Sequence, residues 1–190
     1  MLDKDKIVIR RPVLEELEQI YAFFELVLKD TFQANGLAER KELLTEEILD
    51  KRGCIQQDFD TNGEERFFLL AQYNDKIIGS IEYGKSNDLL NHCTNYEMKD
   101  LLEIGTVFVH PQFQKQGVSA LLYRYLLRVL VSKRIEEFTF DSGYQIAQKI
   151  WCKRFGDPNY YLKDYWGEGS HHMIWRVKVN AAIDLFADES

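Results

Sequence analysis

The sequence is poor in cysteine, and this excludes several kinds of site. Only three cysteines occur in 190 residues, and no two of them form a Cys-x-x-Cys pair. An odd number of widely spaced cysteines predicts neither a disulfide framework nor a cysteine zinc site. Free thiols persist in reducing compartments, so we expect a cytoplasmic protein that holds no metal.

The sequence also lacks long apolar runs and a concentration of positive charge. No stretch approaches the eighteen or so apolar residues of a membrane span, and the N-terminal "MLDKDKIVIRRP" has no apolar signal core. Lys and Arg number 24 against 31 Asp and Glu, which gives a net charge of -7. Binding to nucleic acid depends on dense Lys and Arg contacts to phosphate. We therefore expect neither a membrane nor a nucleic-acid partner.

The residues that are present suit one folded domain. Hydrophobic residues make up 45% of the chain and aromatic residues 13%, enough for a sizeable core. We predict a domain over residues 1–180 and an acidic tail over 181–190 that frays. Apolar residues at helical spacing predict a first helix from Val13 to Asp30, followed by a loop at "TFQANGLAE" and a charged helix.

Strands and helices then alternate. "ERFFLLAQY" and "KIIGSIEY" flank Asn74-Asp75, which predicts a hairpin. The polar segment 84–100 is an insertion or a partly helical flap. A strand over "LLEIGTVFVH" contains Gly105, which is typical of a bulge or of a close backbone approach. A helix, a strand, a second helix and a hairpin follow, with Ser142 expected to cap the second helix. The order predicts a mixed α/β domain.

The stretch "VFVHPQFQKQGVSALLYRYLLRVL" runs from a strand through a polar turn directly into a helix. Unpaired N–H groups and the dipole at a helix start attract anions, and Gly117 allows a phosphate to approach the backbone. The two common glycine-rich phosphate motifs are absent, because Lys115 precedes the only glycine. From spacing alone, a strand-turn-helix without a ligand fits equally well.

The residues of this stretch resemble the acyl-CoA motif of the GNAT N-acetyltransferase superfamily. The pattern V-x-P-x-x-[Q/R]-x-x-G-x-[G/A] is matched at Val109, Pro111, Gln114 and Gly117, with Leu121 and Leu122 after it. Ser119 stands where Gly or Ala is usual. Downstream, "YQIAQKIWCKRFG" resembles the family's second motif less closely. The resemblance implies a single GNAT-like domain with a mixed, mostly antiparallel sheet flanked by helices.

The resemblance also implies an acetyl-CoA site. Main-chain N–H groups would hold the pyrophosphate at Lys115, Gln116, Gly117, Val118, Ser119 and Ala120. The backbone of Val107, Phe108 and Val109 would pair with the pantetheine arm as an added strand does, and Gln114 would line the start of the loop. Lys115, Lys149 and Lys153 are candidates for the adenosine phosphate, although each is equally explained as a solvated charge.

Acetyl transfer to an amine requires a base, because an alkyl ammonium group cannot attack a thioester. Glu103 is the first candidate, six residues before Val109, where relatives carry a glutamate that acts through water. The alternative is a charged strand residue that faces solvent. Glu82 is the second candidate. A backbone N–H of the Phe108 to Val109 region would meet the oxyanion.

The general acid is the point at which the sequence departs from the family. Trp151 stands where relatives often have a tyrosine, and it has no titratable proton. Tyr144 is the candidate substitute that we place in the catalytic set. Tyr160, Tyr161 and Tyr165 are further candidates, and all four are also explained by ordinary packing. A thiolate is moreover a tolerable leaving group without an acid.

The resulting prediction is an N-acetyltransferase that moves acetyl from acetyl-CoA directly to a primary amine in a ternary complex. The acidic composition favours a small cationic amine as acceptor. A protein N-terminus or lysine is the alternative acceptor, and a non-catalytic acyl-CoA-binding module is the alternative from another class. A homodimer is kept as an alternative to a monomer.

Overall fold

The computed structural model of the protein describes residues 2–187 and contains one seven-stranded sheet. The strands are β1 (Val8–Arg10), β2 (Arg66–Tyr73), β3 (Lys76–Lys85), β4 (Leu102–Val109), β5 (Glu137–Ser142), β6 (Tyr160–Leu162) and β7 (His172–Lys178). The helices are α1 (Leu17–Ala34), α2 (Lys41–Asp60), α3 (Asp88–Cys93), α4 (Val118–Ser132), α5 (Gln145–Phe155) and α6 (Val179–Ala187). Short 3₁₀ turns span Lys4–Lys6, Leu14–Glu16 and Pro111–Phe113.

The strand order is β1-β2-β3-β4-β5-β7-β6. Strand β4 pairs with β5 in parallel, whereas β1 with β2, β5 with β7 and β6 with β7 are antiparallel. The mixed, mostly antiparallel sheet flanked by helices is therefore confirmed. None of the helices within residues 2–187 combines the length and the apolar composition needed to cross a bilayer.

Helix α1 is longer than the sequence predicted. It continues through Ala34 because Phe32 extends the apolar face by one turn beyond Leu28, and both side chains are buried. Gly36 adopts a φ of 73°, and the amide of Leu37 donates to the carbonyl of Phe32 at 2.8 Å. These contacts form a Schellman motif, which ends the helix. The predicted end at Asp30 was wrong.

The chain folds into two compact units. The first contains residues up to Tyr83 together with Thr106–Leu126. Its core includes Phe24 of α1, Ile55 of α2 and Phe68 of β2. Asp58 of α2 is buried and pairs with Arg11, and its Oδ2 also accepts a bond from the amide of Phe68 at 2.6 Å. This buried carboxylate fixes α2 against β2.

The second unit contains Gly84–Gly105 together with the chain from Leu127 onward. Segment 84–100 is partly helical, which was one of the two expectations: Asn87 caps α3 by accepting a bond from the amide of Leu90 at 2.8 Å. Leu90 and Met98 of this segment form a buried cluster with Ile174 of β7. The segment therefore belongs to the core of this unit.

The C-terminal segment is helical, contrary to the expected fraying. Helix α6 buries Val179, Ala182 and Phe186, and the ring of Phe186 lies 5.9 Å from that of Phe155 in α5. An apolar face at helical spacing explains why the helix extends to residue 187. Residues 188–190 of the predicted tail lie outside the described residues, and the domain boundary after residue 180 stays a prediction.

Candidate active site

Strand β4 contains a distorted residue that the sequence did not predict. Thr106 has a φ of 47°, whereas Gly105, where we expected the bulge, does not have a positive φ. A β-branched residue in the left-handed region is strained. Two bonds hold it: the hydroxyl of Ser80 donates to the carbonyl of Thr106 at 2.8 Å, and the hydroxyl of Thr106 donates to Glu82 at 3.2 Å.

After Thr106, the strand presents alternating faces. Phe108 points into the core, where its ring makes an edge contact with Phe24 at 5.7 Å. Val107 and Val109 are half-buried on the opposite face. The amide of His110 donates to the carbonyl of Ile78 at 2.9 Å, which fixes the end of β4 against β3.

The polar turn after β4 leads into α4 through two left-handed residues. Lys115 has a φ of 59° and Gly117 a φ of 85°. The amide of Leu121 donates to the carbonyl of Gly117 at 3.1 Å, so the helical bonding starts at this glycine. Alternation of right- and left-handed residues turns successive N–H groups toward one concavity, which is an arrangement suited to anions.

Gln114 and Gln116 stabilise the turn by side-chain bonds. The Nε2 of Gln114 donates to the carbonyl of Val109 at 3.3 Å and to Asp30 at 3.4 Å, while that of Gln116 donates to the carbonyl of Gln112 at 2.9 Å. Val118 and Ala120 are buried and Ser119 is half-buried. The predicted acetyl-CoA loop is thus one continuous structural element of the first unit.

Gly79 of β3 allows α4 to approach the sheet closely. A Cβ placed there would lie 2.9 Å from side-chain carbons of both Val118 and Leu122, and 3.2 Å from the carbonyl oxygen of Phe108. Any side chain at this position would therefore push the first turn of α4 away from the strand. The glycine helps to position the start of the helix beside β4.

Glu103, the first candidate base, lies in the second unit and contacts the start of α3. Its two carboxylate oxygens accept bonds from Asn87, at 2.7 Å from the backbone N and at 2.8 Å from Nδ2. A carboxylate has about four positions that accept hydrogen bonds. The two bonds from Asn87 orient Glu103 and occupy two of these positions. Sequence reasoning missed this partner, because Asn87 belongs to the segment without clear periodicity.

Glu82, the second candidate, is buried in the first unit, with 3% of its surface exposed. Its Oε2 accepts a bond from Arg66 at 2.8 Å. Burial raises the pKa of Glu82, and the positive charges of Arg66 and Lys51 oppose that rise. A carboxylate so enclosed by side chains cannot reach an acceptor directly, so its contacts favour a structural role.

Tyr144 and Trp151 lie on α5 in the second unit. Tyr144 is the N-cap residue of α5, and its backbone N donates to the hydroxyl of Ser142 at 3.2 Å. The prediction that Ser142 itself caps the helix was wrong, because Ser142 ends β5. Trp151 packs against Phe140 and Phe155, with ring centroids 5.5 Å and 5.9 Å apart. Aromatic packing thus explains why tryptophan stands at this position.

The other candidate tyrosines have partners of their own. A bond from the hydroxyl of Tyr160 to Glu97, 2.7 Å long, raises the pKa of that tyrosine. The hydroxyl of Tyr165 interacts with Cys93, which raises the pKa of Tyr165. The ring of Tyr161 lies 5.1 Å from that of His171. These contacts hold the hairpin of β6 and β7 and the α3 segment together.

A cavity and two of the candidate lysines lie at α5. A cavity of about 340 Å³ is lined by Gln145, Gln148, Lys149, Cys152, Gly169, His171 and Met173. Lys149 thus borders this cavity, and Lys153 is exposed.

The predicted site residues are divided between the two units. The predicted acetyl-CoA loop lies within the first unit, whereas Glu103 and Tyr144 belong to the second. Within residues 2–187, no group of three or more His, Cys, Asp and Glu side chains could hold a metal ion.

A comparison with family models decides the affiliation. The model of the acetyltransferase (GNAT) family matches residues 20–157. The chain belongs to this family. GNAT enzymes transfer an acetyl group from acetyl-CoA, so the predicted family, enzyme class and cosubstrate are confirmed. The roles of individual residues stay predictions.

Solved GNAT structures share the fold at low sequence identity. The PaiA N-acetyltransferase of Thermoplasma acidophilum in complex with coenzyme A is 17% identical, with a TM-score of 0.64 over 90% of this chain and 98% of that chain. The ribosomal-protein-S18-alanine N-acetyltransferase of Escherichia coli is 14% identical, with a TM-score of 0.58 over 91% and 94%.

An aminoglycoside 6'-acetyltransferase type Ii is 12% identical, with a TM-score of 0.57 over 90% and 97%. A search of curated proteins finds no match. At these identities the similarity to solved structures shows the fold alone.

Proposed function

We propose that this GNAT protein transfers acetyl from acetyl-CoA directly to a primary amine while both are bound, and that the acceptor is a small cationic amine. The main support for binding of acetyl-CoA is the turn from β4 into α4, where Lys115 and Gly117 both have a positive φ. Such a turn directs backbone N–H groups toward a phosphate. Val107 to Val109 would supply main-chain partners for the pantetheine arm.

Two features support a cationic acceptor. The chain carries a net charge of -7, which attracts positively charged small molecules. One structural relative is an aminoglycoside acetyltransferase. Another relative acts on the alanine of a ribosomal protein, so a protein N-terminus or a lysine is the second candidate acceptor.

We assign Glu103 as the base that deprotonates the acceptor through a water molecule. Asn87 holds both carboxylate oxygens and thereby fixes the position of the side chain. A fixed carboxylate keeps one geometry toward a bound water, which general base catalysis requires. Tyr144 is the proposed acid toward the departing thiolate, and its place at the N-cap of α5 fixes its backbone.

The test measures CoA release from acetyl-CoA with polyamines, aminoglycosides, amino acids and short peptides as acceptors. We expect selective turnover of a cationic amine by the wild type, and a kcat lowered about 100-fold in Glu103→Gln near neutral pH. The loss should shrink toward about pH 10, where the amine is already deprotonated. Calorimetry should show unchanged CoA binding.

Glu137→Gln is the matched control, because Glu137 is a strand carboxylate of the same unit that pairs with Arg176 at the surface. Its activity should equal that of the wild type. Turnover of peptides alone would favour a protein acceptor. Binding of CoA without turnover of any acceptor would favour the non-catalytic module, and absence of CoA binding would contradict the proposal altogether.

A further inference from the structure

The N-terminal 3₁₀ turn places a lysine against the predicted phosphate loop. Lys4 begins this turn, and a Cβ placed on Gly117 would lie 3.2 Å from its Cε and 3.3 Å from its Nζ. The ammonium group thus lies over the one residue of the loop that has no side chain. This approach joins two parts of the first unit that are far apart in sequence.

The turn is held in place by its own bonds. The carboxylate of Asp3 accepts a bond from the amide of Asp5 at 3.3 Å, and the amide of Ile7 donates to the carbonyl of Lys4 at 3.1 Å. The chain then enters β1, where Val8 is in register with Gln72 of β2. Lys4 is therefore positioned by the sheet rather than by a loose terminus.

The two lysines of the turn differ in their partners. Lys6 forms an ion pair with Asp3 at 3.3 Å. Lys4 forms no ion pair within the described residues 2–187, so no carboxylate in that part of the chain lies within ion-pair distance of its ammonium group. A cation that lies on an anion-binding turn without an acidic partner is available to an anionic ligand.

The charge of the whole protein makes a local cation useful at this loop. CoA carries several negative charges on its pyrophosphate and 3′-phosphate, and the protein has a net charge of -7. The overall field therefore opposes binding of the cosubstrate, and local positive charge at the phosphate loop has to offset that repulsion. In the loop itself, Lys115 is the only basic residue between Gln114 and Ala120.

We propose that Lys4 is a further acetyl-CoA-binding residue, whose ammonium group contacts a phosphate of the cosubstrate above Gly117. The inference rests on the proposed role of the loop from Lys115 to Ala120. Lys4 takes no part in acetyl transfer itself, so its loss should weaken binding of acetyl-CoA and leave kcat unchanged.

The experiment compares Lys4→Met with Lys6→Met, which removes the same charge from the same turn. Calorimetry should show a Kd for acetyl-CoA raised about fivefold in Lys4→Met, with KM raised similarly, since the contact is partly exposed. Lys6→Met should match the wild type. The difference should diminish at high salt, because screening weakens the contact.

Acetyl donors that lack parts of CoA show which phosphate Lys4 contacts. S-acetylpantetheine has no pyrophosphate, so wild type and Lys4→Met should use it equally. Acetyl-dephospho-CoA lacks only the 3′-phosphate of acetyl-CoA. If Lys4→Met weakens its binding as much as that of acetyl-CoA, Lys4 contacts the pyrophosphate; if the weakening is lost, Lys4 contacts the 3′-phosphate.

Three results would overturn the inference. Equal weakening by Lys4→Met and Lys6→Met would mean that only the overall charge matters. An effect that persists with S-acetylpantetheine would mean that Lys4 acts by packing. Tighter binding by Lys4→Met would mean that the side chain obstructs the loop. If the wild type itself binds no CoA, the proposed function fails first, and the role of Lys4 fails with it.

Discussion

Among single residues, the buried carboxylate of Glu82 affects the ionisation of a neighbouring thiol. Burial raises the pKa of the Cys54 thiol to about 11, and the negative charge of Glu82 adds to the effect. Lys51 and Arg66 oppose it with their positive charges. Cys54 should therefore be a slow nucleophile near neutral pH, because the thiolate is the reactive form.

Thiol labelling tests this prediction. In a Cys93→Ser/Cys152→Ser variant, Cys54 should react with a maleimide at about pH 8 roughly 100-fold more slowly than in the denatured chain. Its rate should continue to rise about tenfold per pH unit up to about pH 10. Glu82→Gln should accelerate labelling in the same buffer, since removal of the negative charge lowers the pKa of the Cys54 thiol. A rate that levels off above about pH 9 would contradict the assigned environment.

The sequence identified Glu82 as a candidate base but could not show its surroundings. The ion pair of Glu82 with Arg66 depends on the pairing of β3 with β2, and the nearby charge of Lys51 depends on how α2 packs against the sheet. The same limit applies to Lys4, whose contact with Gly117 depends on the path of the chain into β1. Local patterns predict elements and motifs, whereas such contacts require the assembled fold.

Among the elements, strand β4 depends on the two side-chain bonds that hold Thr106 in the left-handed region. A non-glycine residue there costs about 1–3 kcal/mol, which the surrounding contacts must offset. Ser80 and Glu82, both on β3, provide these contacts. The distortion occurs immediately before Val107, the first of the residues proposed to meet the pantetheine arm.

Two substitutions at Thr106 distinguish the contribution of its hydroxyl to stability from the contribution of the side-chain shape. Thr106→Val keeps the shape and removes the donor to Glu82, so the free energy of unfolding should fall by about 1–3 kcal/mol. Thr106→Ser keeps the hydroxyl and should remain close to the wild type. Denaturant unfolding measures stability, and KM for acetyl-CoA should rise in the valine variant only. Equal stability of the two variants would show that the bond to Glu82 contributes nothing.

The left-handed Thr106 also shows how far a glycine in a strand can serve as a prediction. Gly105 lies beside the distorted residue, but the positive φ belongs to Thr106. No propensity favours threonine in that conformation. Ser80 and Glu82 stabilise it, and these residues come from another strand. The turn from β4 into α4 was predictable in contrast, because its residues are contiguous in sequence. Its role in binding acyl-CoA stays a prediction.

At the scale of the whole molecule, the order of most elements followed from sequence periodicity, and the errors concerned the end of α1 and the C-terminal helix α6. Helix α1 runs beyond Asp30 because Phe32 is buried, and α6 forms where an acidic tail was expected to fray. In both places one large aromatic residue near the end of the helix is buried. Burial of such a residue depends on tertiary packing, which cannot be read from sequence periodicity.

The second unit should therefore need helix α6 for its stability. Phe186 is 1% exposed, lies 5.9 Å from the ring of Phe155, and carries the guanidinium of Arg154 at 4.5 Å from its centroid. Loss of a buried aromatic side chain leaves a cavity and typically costs about 3 kcal/mol or more. A chain that ends at residue 180 should lose at least as much stability.

Guanidinium unfolding, followed by tryptophan fluorescence, should show Phe186→Ala destabilised by about 3 kcal/mol. Leu185→Ala is the matched control, because Leu185 is the adjacent residue of α6 and is 41% exposed, so its loss should cost less than about 1 kcal/mol. If ending the chain at residue 180 left stability unchanged, α6 would be dispensable and the boundary predicted there would hold. Equal losses in the two point variants would mean that helix content matters, rather than burial of the phenylalanine.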